Sequence, residues 1–152
     1  MTGPMTGPIV VGIGGNGSGF EAAREAAQLA AALGVALVLV FGYESTAMGP
    51  RGGPLEERVS AIGDEAVDQI RAEVLASYPG VTIAVEMVPQ RPADALIAVA
   101  EARGASIIAV GHGGQGPLRA ALLGNVTYEM VHRSQVPVLV VPDDDDDEVA
   151  TP

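Results

Sequence analysis

Five short apolar runs, each separated from the next by a stretch of helical character, constrain this chain more than any other feature. They are Ile9–Ile13, Val35–Phe41, Val81–Val88, Ile107–Val110 and Val136–Val141. Runs of β-branched residues that are apolar at nearly every position suit strands buried on both faces. The third is different, because Val81, Ile83, Val85 and Met87 alternate with smaller or polar residues, which gives that strand two unlike faces.

The intervening stretches carry helix signals. Ser18 and Glu21 stand at capping-box spacing, and the alanine-rich stretch behind them runs to Leu33 and stops at Gly34. Leu55, Val59, Ile62, Ala66, Ile70 and Val74 recur at helical spacing up to the stop at Pro79-Gly80. Pro92 suits the first turn of a third helix, which presents Leu96, Ile97 and Ala100 and ends at Gly104. Asn125 can cap a fourth, with Val126, Met130 and Val131 among its buried positions. Strand alternating with helix predicts an α/β fold: a doubly wound, Rossmann-like, mostly parallel five-stranded sheet with helices on both faces.

The chain has 152 residues, enough for one domain with a sizeable core. That domain is expected over residues 9–142, after a flexible N-terminus at 1–8 and before an acidic, disordered tail at 143–152. Six acidic charges lie in Asp143–Glu148, leaving about −5 of the net −11 on the rest. Like charges in a row stay solvated and build no core. Residues 45–54 carry no periodicity and read as a loop long enough to cover a site or merely connect.

Composition removes several chemistries. There is no cysteine, hence no disulfide framework and no thiolate metal site. All eight basic residues are arginine, which excludes a P-loop lysine and Schiff-base chemistry. The negative balance argues against a nucleic-acid partner. No stretch approaches the roughly 20 apolar residues of a membrane helix, and the first residues lack the parts of a signal peptide. A cytoplasmic protein is therefore expected. His112 and His132 are twenty apart with no carboxylate at i, i+4, so a metal site is not expected. No serine sits in a G-x-S-x-G elbow.

What remains is glycine. Gly111, Gly113, Gly114 and Gly116 follow the fourth strand, and Gly124 precedes Asn125 where a helix resumes. A buried strand, a glycine loop and a helix start make an anion site: glycines let backbone approach closely, and free N–H groups at the helix start favour phosphate. A second loop, Gly12-Ile13-Gly14-Gly15-Asn16-Gly17, matches G-x-G-x-x-G between strand and helix. That spacing is the dinucleotide fingerprint, which also needs an acid about 20 residues on. Glu44 lies too far along. In the doubly wound order the first and fourth strands are neighbours, so both loops would face one crevice beyond the strands' carboxyl ends.

The spacing Gly111, two residues, Gly114, nine residues, Gly124 and then a polar residue resembles the nucleotide loop of the universal stress protein family, G-x2-G-x9-G-[ST]. The resemblance runs on through Val126, Thr127, Val131 and Ser134 to Pro137-Val-Leu-Val-Val141 and covers roughly residues 8–142. It implies a stress-response regulatory protein that binds ATP, with or without Mg²⁺, or a related adenine nucleotide. Its phosphates would meet Gly111, His112, Gly114, Gly124, Asn125, Val126 and Thr127. Its adenosine would meet Gly12, Ile13, Gly14 and backbone near Gly42. The resemblance also implies a homodimer through the last strand, Val136–Val141, a run that as a sheet edge would invite pairing.

Two positions depart from the family's pattern. Gly14 stands where the family places an aspartate on the nucleoside, and Asn125 where it places Ser or Thr. Asn125 could cap the helix, or rotate its NH₂ toward a phosphate oxygen, and Thr127 offers a hydroxyl. Arg119 could neutralise a phosphate or be a solvated helix charge; Arg91 reads as surface. No residue stands out as a general base over a γ-phosphate, so ATP hydrolysis is expected to be slow at most. Two alternatives stay open: a dimeric stress protein that binds no nucleotide, and a dinucleotide enzyme using the first glycine loop.

Overall fold

A computed structural model describes residues 6–14, 19–43, 54–112 and 124–142. The elements, in chain order, are β1 (Ile9–Gly12), α1 (Phe20–Leu33), β2 (Leu37–Gly42), α2 (Pro54–Ser77), β3 (Ile83–Val88), α3 (Pro92–Arg103), β4 (Ile107–Gly111), α4 (Asn125–Arg133) and β5 (Val138–Val141). Ser18, the loop at 45–53, Gly114, Arg119 and the tail from 143 lie outside the described residues.

The five strands form one sheet in the order β3-β2-β1-β4-β5, every pair parallel. The predicted α/β architecture is therefore the observed one. β1 is central, with Ile9 opposite both Leu37 of β2 and Ile107 of β4. Its residues Ile9, Val10 and Val11 are wholly buried, as a strand covered on both faces requires.

Each face has its own core. On one, Ile9, Val11, Leu37 and Leu39 meet α1 and the Ala66, Val67, Ile70 and Val74 stripe of α2. On the other, Val10, Val38, Val40, Ile108 and Val110 meet Leu96 and Val99 of α3 and Met130 of α4. Each large aliphatic side chain so buried contributes about 1.5–3 kcal/mol. α1 turns Ala22, Ala23, Ala26, Ala27 and Ala30 inward. Alanine has the best helix propensity, and its small side chain lets the helix lie close on the sheet. Gly34 ends α1 at φ 72°, donating its N–H to the Ala30 carbonyl, and Gly104 ends α3 at φ 60°. Both predicted stops are thus left-handed caps of the kind glycine favours. Pro92 opens α3, as predicted.

The structure differs from the sequence reading at several points. The N-cap of α1 is Gly19, at φ 86°, one residue after Ser18. A Cβ there would fall 2.0 Å from the Gly12 carbonyl oxygen, so glycine is required twice over. β2, β3 and β5 begin two residues later than the apolar runs suggest. Ile62, expected inside, is 49% exposed. A row of residues four apart drifts about 40° per step around a helix. With the inner stripe centred near Ala66–Ile70, Gly63 takes the inward position instead. It lies so close to β2 and β3 that a Cβ would come 2.6 Å from the Met87 methyl carbon and 2.8 Å from the Phe41 ring.

Candidate functional site

β1 connects onward to β2 on one side, while β4 is its neighbour on the other, so the direction of winding reverses between them. At such a switch point the connections leave the sheet in opposite directions and open a crevice beyond the strand ends. Gly12 ends β1 and Gly111 ends β4 on that edge. The two glycine segments therefore do begin side by side.

On the β1 side, Ile13 is buried and donates its N–H to the Val40 carbonyl at 2.8 Å. Gly14 follows it, partly exposed. Gly42 ends β2 beneath the start of α3. A Cβ on it would lie 2.9 Å from the Ala95 Cβ and the Pro92 Cα, and 3.0 Å from the Gln90 carbonyl oxygen. Its glycine is explained by helix packing before any ligand is invoked.

On the β4 side, His112 donates its N–H to the Val141 carbonyl at 2.7 Å, and its own carbonyl accepts the Gly124 N–H at 3.1 Å. The segment leaving β4 thus returns to within one hydrogen bond of where it left. Gly124 is extended (φ −67°, ψ 162°) and caps α4, and the Tyr128 N–H donates to its carbonyl at 2.9 Å. That is the first bond of the helix. The N–H groups of Asn125, Val126 and Thr127 precede it and find no backbone acceptor among the described residues. The N-cap residue, Gly124, has no side chain with which to cap them. Three aligned donors, backed by the helix dipole, make this edge locally positive.

Two side-chain expectations change here. Asn125 is the first helical residue rather than the cap, which is Gly124. The Thr127 hydroxyl is not available to a ligand: it donates to the Gly111 carbonyl, and the residue is 2% exposed. Only the Thr127 backbone N–H is left facing outward along the helix axis. α4 is rotated accordingly, with Thr127 and Met130 inside, Val126 partly covered and Val131 54% exposed. Gly114 lies outside the described residues.

Beside this edge is a cluster that the sequence did not announce. Arg91, the residue before α3, contacts Asp94 at 3.2 Å and Glu129 of α4 at 3.3 Å. Arg133, at the end of α4, holds Glu129 at 2.6 Å and Asp94 at 3.0 Å. Hydrogen bonds from Arg133, and then from Arg91, hold the Asp94 and Glu129 carboxyls below the usual carboxylate range. Reciprocally, Glu129 and then Asp94 raise both guanidinium groups. Positions 91 and 129 are too far apart in sequence for spacing to pair them. Arg91 is on the surface, as expected, but it is not solitary.

His132 is occupied locally, its Nδ1 2.9 Å from the Tyr128 carbonyl oxygen and its ring stacked on that of Tyr128 at 4.2 Å between centroids. Among the described residues no three His, Asp or Glu side chains gather to hold a metal ion. None of the described helices is long and apolar enough to cross a membrane.

The molecule is a doubly wound, all-parallel α/β domain with a helix N-terminus at the switch point of its sheet. The chain belongs to the universal stress protein family: that family's sequence model matches residues 5–142. Among relatives, it is 33% identical over 141 residues to the universal stress protein Rv2005c of Mycobacterium tuberculosis, covering 90% of this chain and 46% of that one. It is 32% identical over 87 residues to the universal stress protein MJ0531 of Methanocaldococcus jannaschii, covering 57% and 50%. The chain thus spans about half the length of the curated relatives it matches. Among solved structures it resembles a universal stress protein in complex with cAMP at 29% identity, with TM-score 0.66 over 91% of this chain and 98% of the other. The fold is also that of the universal stress protein UspA of Lactobacillus plantarum, at 19% identity and TM-score 0.70 over 92% and 99%.

Proposed function

We propose that this protein binds an adenine nucleotide, ATP with or without Mg²⁺ or a related species, at the carboxyl edge of β1 and β4, and acts as a regulatory rather than a catalytic protein. The carrying observation is the set of N–H groups on Asn125, Val126 and Thr127, beyond the end of β4, that have no backbone acceptor among the described residues. The phosphate end of the ligand belongs there, with Gly111, His112, Gly114 and Gly124 letting backbone come near. The nucleoside end belongs at Gly12, Ile13, Gly14 and Gly42. The family relative solved with cAMP supports the adenine class. We place the protein in the cytoplasm.

We further propose a homodimer through the last strand. β5 is a sheet edge, its Val138, Leu139 and Val140 are only partly covered, and Tyr128 and Val131 of the neighbouring α4 are more than half exposed. Exposed edges of this kind pair with another chain.

One observation favours a second reading, a dimeric family member that binds no nucleotide: Gly14 offers no side chain where the family places its aspartate. The dinucleotide reading keeps only the spacing of the first glycine loop. Mass spectrometry of ligand retained through purification, followed by calorimetry with ATP, separates them. Retained or titratable ATP supports the first reading; no binding with a dimer mass in light scattering supports the second; retained NAD or FAD would establish the third. A monomer mass at micromolar concentration would remove the dimer from both of the first two.

A further inference from the structure

We infer that Arg91 is a phosphate-binding side chain of this site, held in reserve by Glu129 and Asp94 and handed over to a polyphosphate at the N-terminus of α4. The ligand class it selects is therefore one with several phosphate charges. The inference rests on the phosphate end of the proposed site.

Placement comes first. Arg91 is the residue preceding α3, and α3 begins at the same sheet edge as α4 because all strands are parallel. Its guanidinium lies 3.3–3.4 Å from the Glu129 carboxylate. Glu129 is four residues after Asn125, on the same side of the helix and about 6 Å below it along the axis. The guanidinium is thus about one helical turn from the three N–H groups that open the helix, within the sweep of a side chain anchored at the rim.

The unequal pairing in the cluster makes release inexpensive. Arg133 grips Glu129 at 2.6 Å and Asp94 at 3.0 Å. Arg91 reaches the same two carboxylates only at 3.2–3.5 Å, the long end of hydrogen-bond geometry. If Arg91 swings away, both carboxylates keep Arg133. Its side chain is 49% exposed, and exposed ion pairs contribute little. A planar guanidinium on phosphate makes two parallel charge-assisted bonds, a stronger contact.

The other paired arginines that are described are placed differently. Arg24 is held between Glu21 and Glu73 at 2.7–2.9 Å, bridging α1 to α2. Arg103 sits on Glu86 at the far end of α3 at 2.7–2.9 Å. The chain has no lysine, and among the described paired arginines Arg91 is the loosely held one beside the helix that would receive a polyanion.

The test titrates adenosine, AMP, ATP and inorganic tripolyphosphate into the parent, Arg91→Gln, Arg91→Lys and Glu129→Gln, with melting temperatures recorded alongside. Arg91→Gln should lose about tenfold in affinity for ATP and for tripolyphosphate, the scale of one charge-assisted contact, and nothing for adenosine. Arg91→Lys should recover part of the loss. Glu129→Gln frees the arginine and should bind ATP at least as tightly as the parent. A cluster that only braced α3 against α4 would instead make Arg91→Gln and Glu129→Gln weaken ATP alike, and that result overturns the inference. So does Arg91→Gln binding ATP like the parent, or losing adenosine and ATP equally; the proposed nucleotide site would survive either. Tripolyphosphate binding that depends on Arg91, in a protein that ignores adenosine, would uphold the inference while removing the nucleoside half of the proposed function. If the parent binds neither ATP nor tripolyphosphate, both fall.

Discussion

Thr127 donates its hydroxyl proton to the carbonyl oxygen of Gly111, tying the first turn of α4 to the last residue of β4 across sixteen positions of chain. Together with the burial of Met130, this bond sets the rotation of the helix whose N-terminus borders the candidate site. It also satisfies a carbonyl that the sheet leaves over at a strand end. Thr127→Val, nearly isosteric, would leave that carbonyl without its partner and cost about 1–3 kcal/mol of stability, while Thr127→Ser should keep most of it. Urea denaturation of the three proteins checks this. Equal midpoints for parent and valine variant would mean the bond contributes nothing.

Gly42→Ala should destabilise the protein by about 1–3 kcal/mol, the usual cost of overpacking. The added methyl meets the Pro92 Cα and the Gln90 carbonyl at 2.9–3.0 Å, both of them backbone and unable to turn aside. Gly80 is the control, with open space around its Cβ position and no positive φ. Gly80→Ala should be neutral or slightly stabilising, because it restricts the unfolded chain. Thermal melts of the two variants should diverge in sign or at least by several degrees.

Gly14→Asp should strengthen nucleotide binding about tenfold, the low end for a regained hydrogen bond to a charged group. The new carboxylate would stand at the nucleoside end of the proposed site, and its charge opposes the phosphates only at a distance. Adenosine should therefore gain at least as much as ATP in calorimetry. A folded variant in which neither ligand gains would show that this backbone no longer presents position 14 to a nucleoside.

Acid should weaken the fold partly through Asp94 and Glu129. Their arginine partners hold both carboxyls below the usual range, so the unfolded chain takes up those protons at a higher pH than the folded one. The stability they contribute is present above about pH 4 and is lost as pH falls through the lowered folded values. Asp94→Asn and Glu129→Gln should flatten that limb of the stability profile, and high salt should do the same because the groups are exposed. An unchanged acid limb in the double variant would assign acid sensitivity to other carboxylates.

The alternation of strand and helix and the helix stops were legible because each rests on a local rule. Gly34, Gly104 and Pro92 mark termini through backbone geometry alone, and the apolar runs mark strands buried on both sides. The rotation of a helix is another matter. Val126, Met130 and Val131 are all apolar, so periodicity offered α4 more than one inner face. Thr127 won because the Gly111 carbonyl needed a donor, which no pattern in α4 itself can reveal. Ile62 lost its inward place to Gly63 because α2 lies too close to Phe41 and Met87 for any side chain there. The Arg91, Asp94, Glu129 and Arg133 cluster was illegible for a similar reason: it exists only once α3 and α4 lie side by side.

The central position of β1 has a consequence for how the molecule comes together. β1 pairs with β2 early in the chain, but its other edge waits for β4, with Ile9 meeting Ile107 nearly a hundred residues later. The sheet is thus two half-sheets, β3-β2-β1 and β4-β5, joined along one seam, and long-range parallel pairing of that kind is closed late in folding. The candidate site lies on the seam, with one wall on each half. A molecule bound there would be a rivet between the two halves: it can engage both walls only after they have docked, so its binding energy adds to the docking itself. Occupancy would then be read by the rest of the cell as resistance to opening, a signal that requires no change of shape.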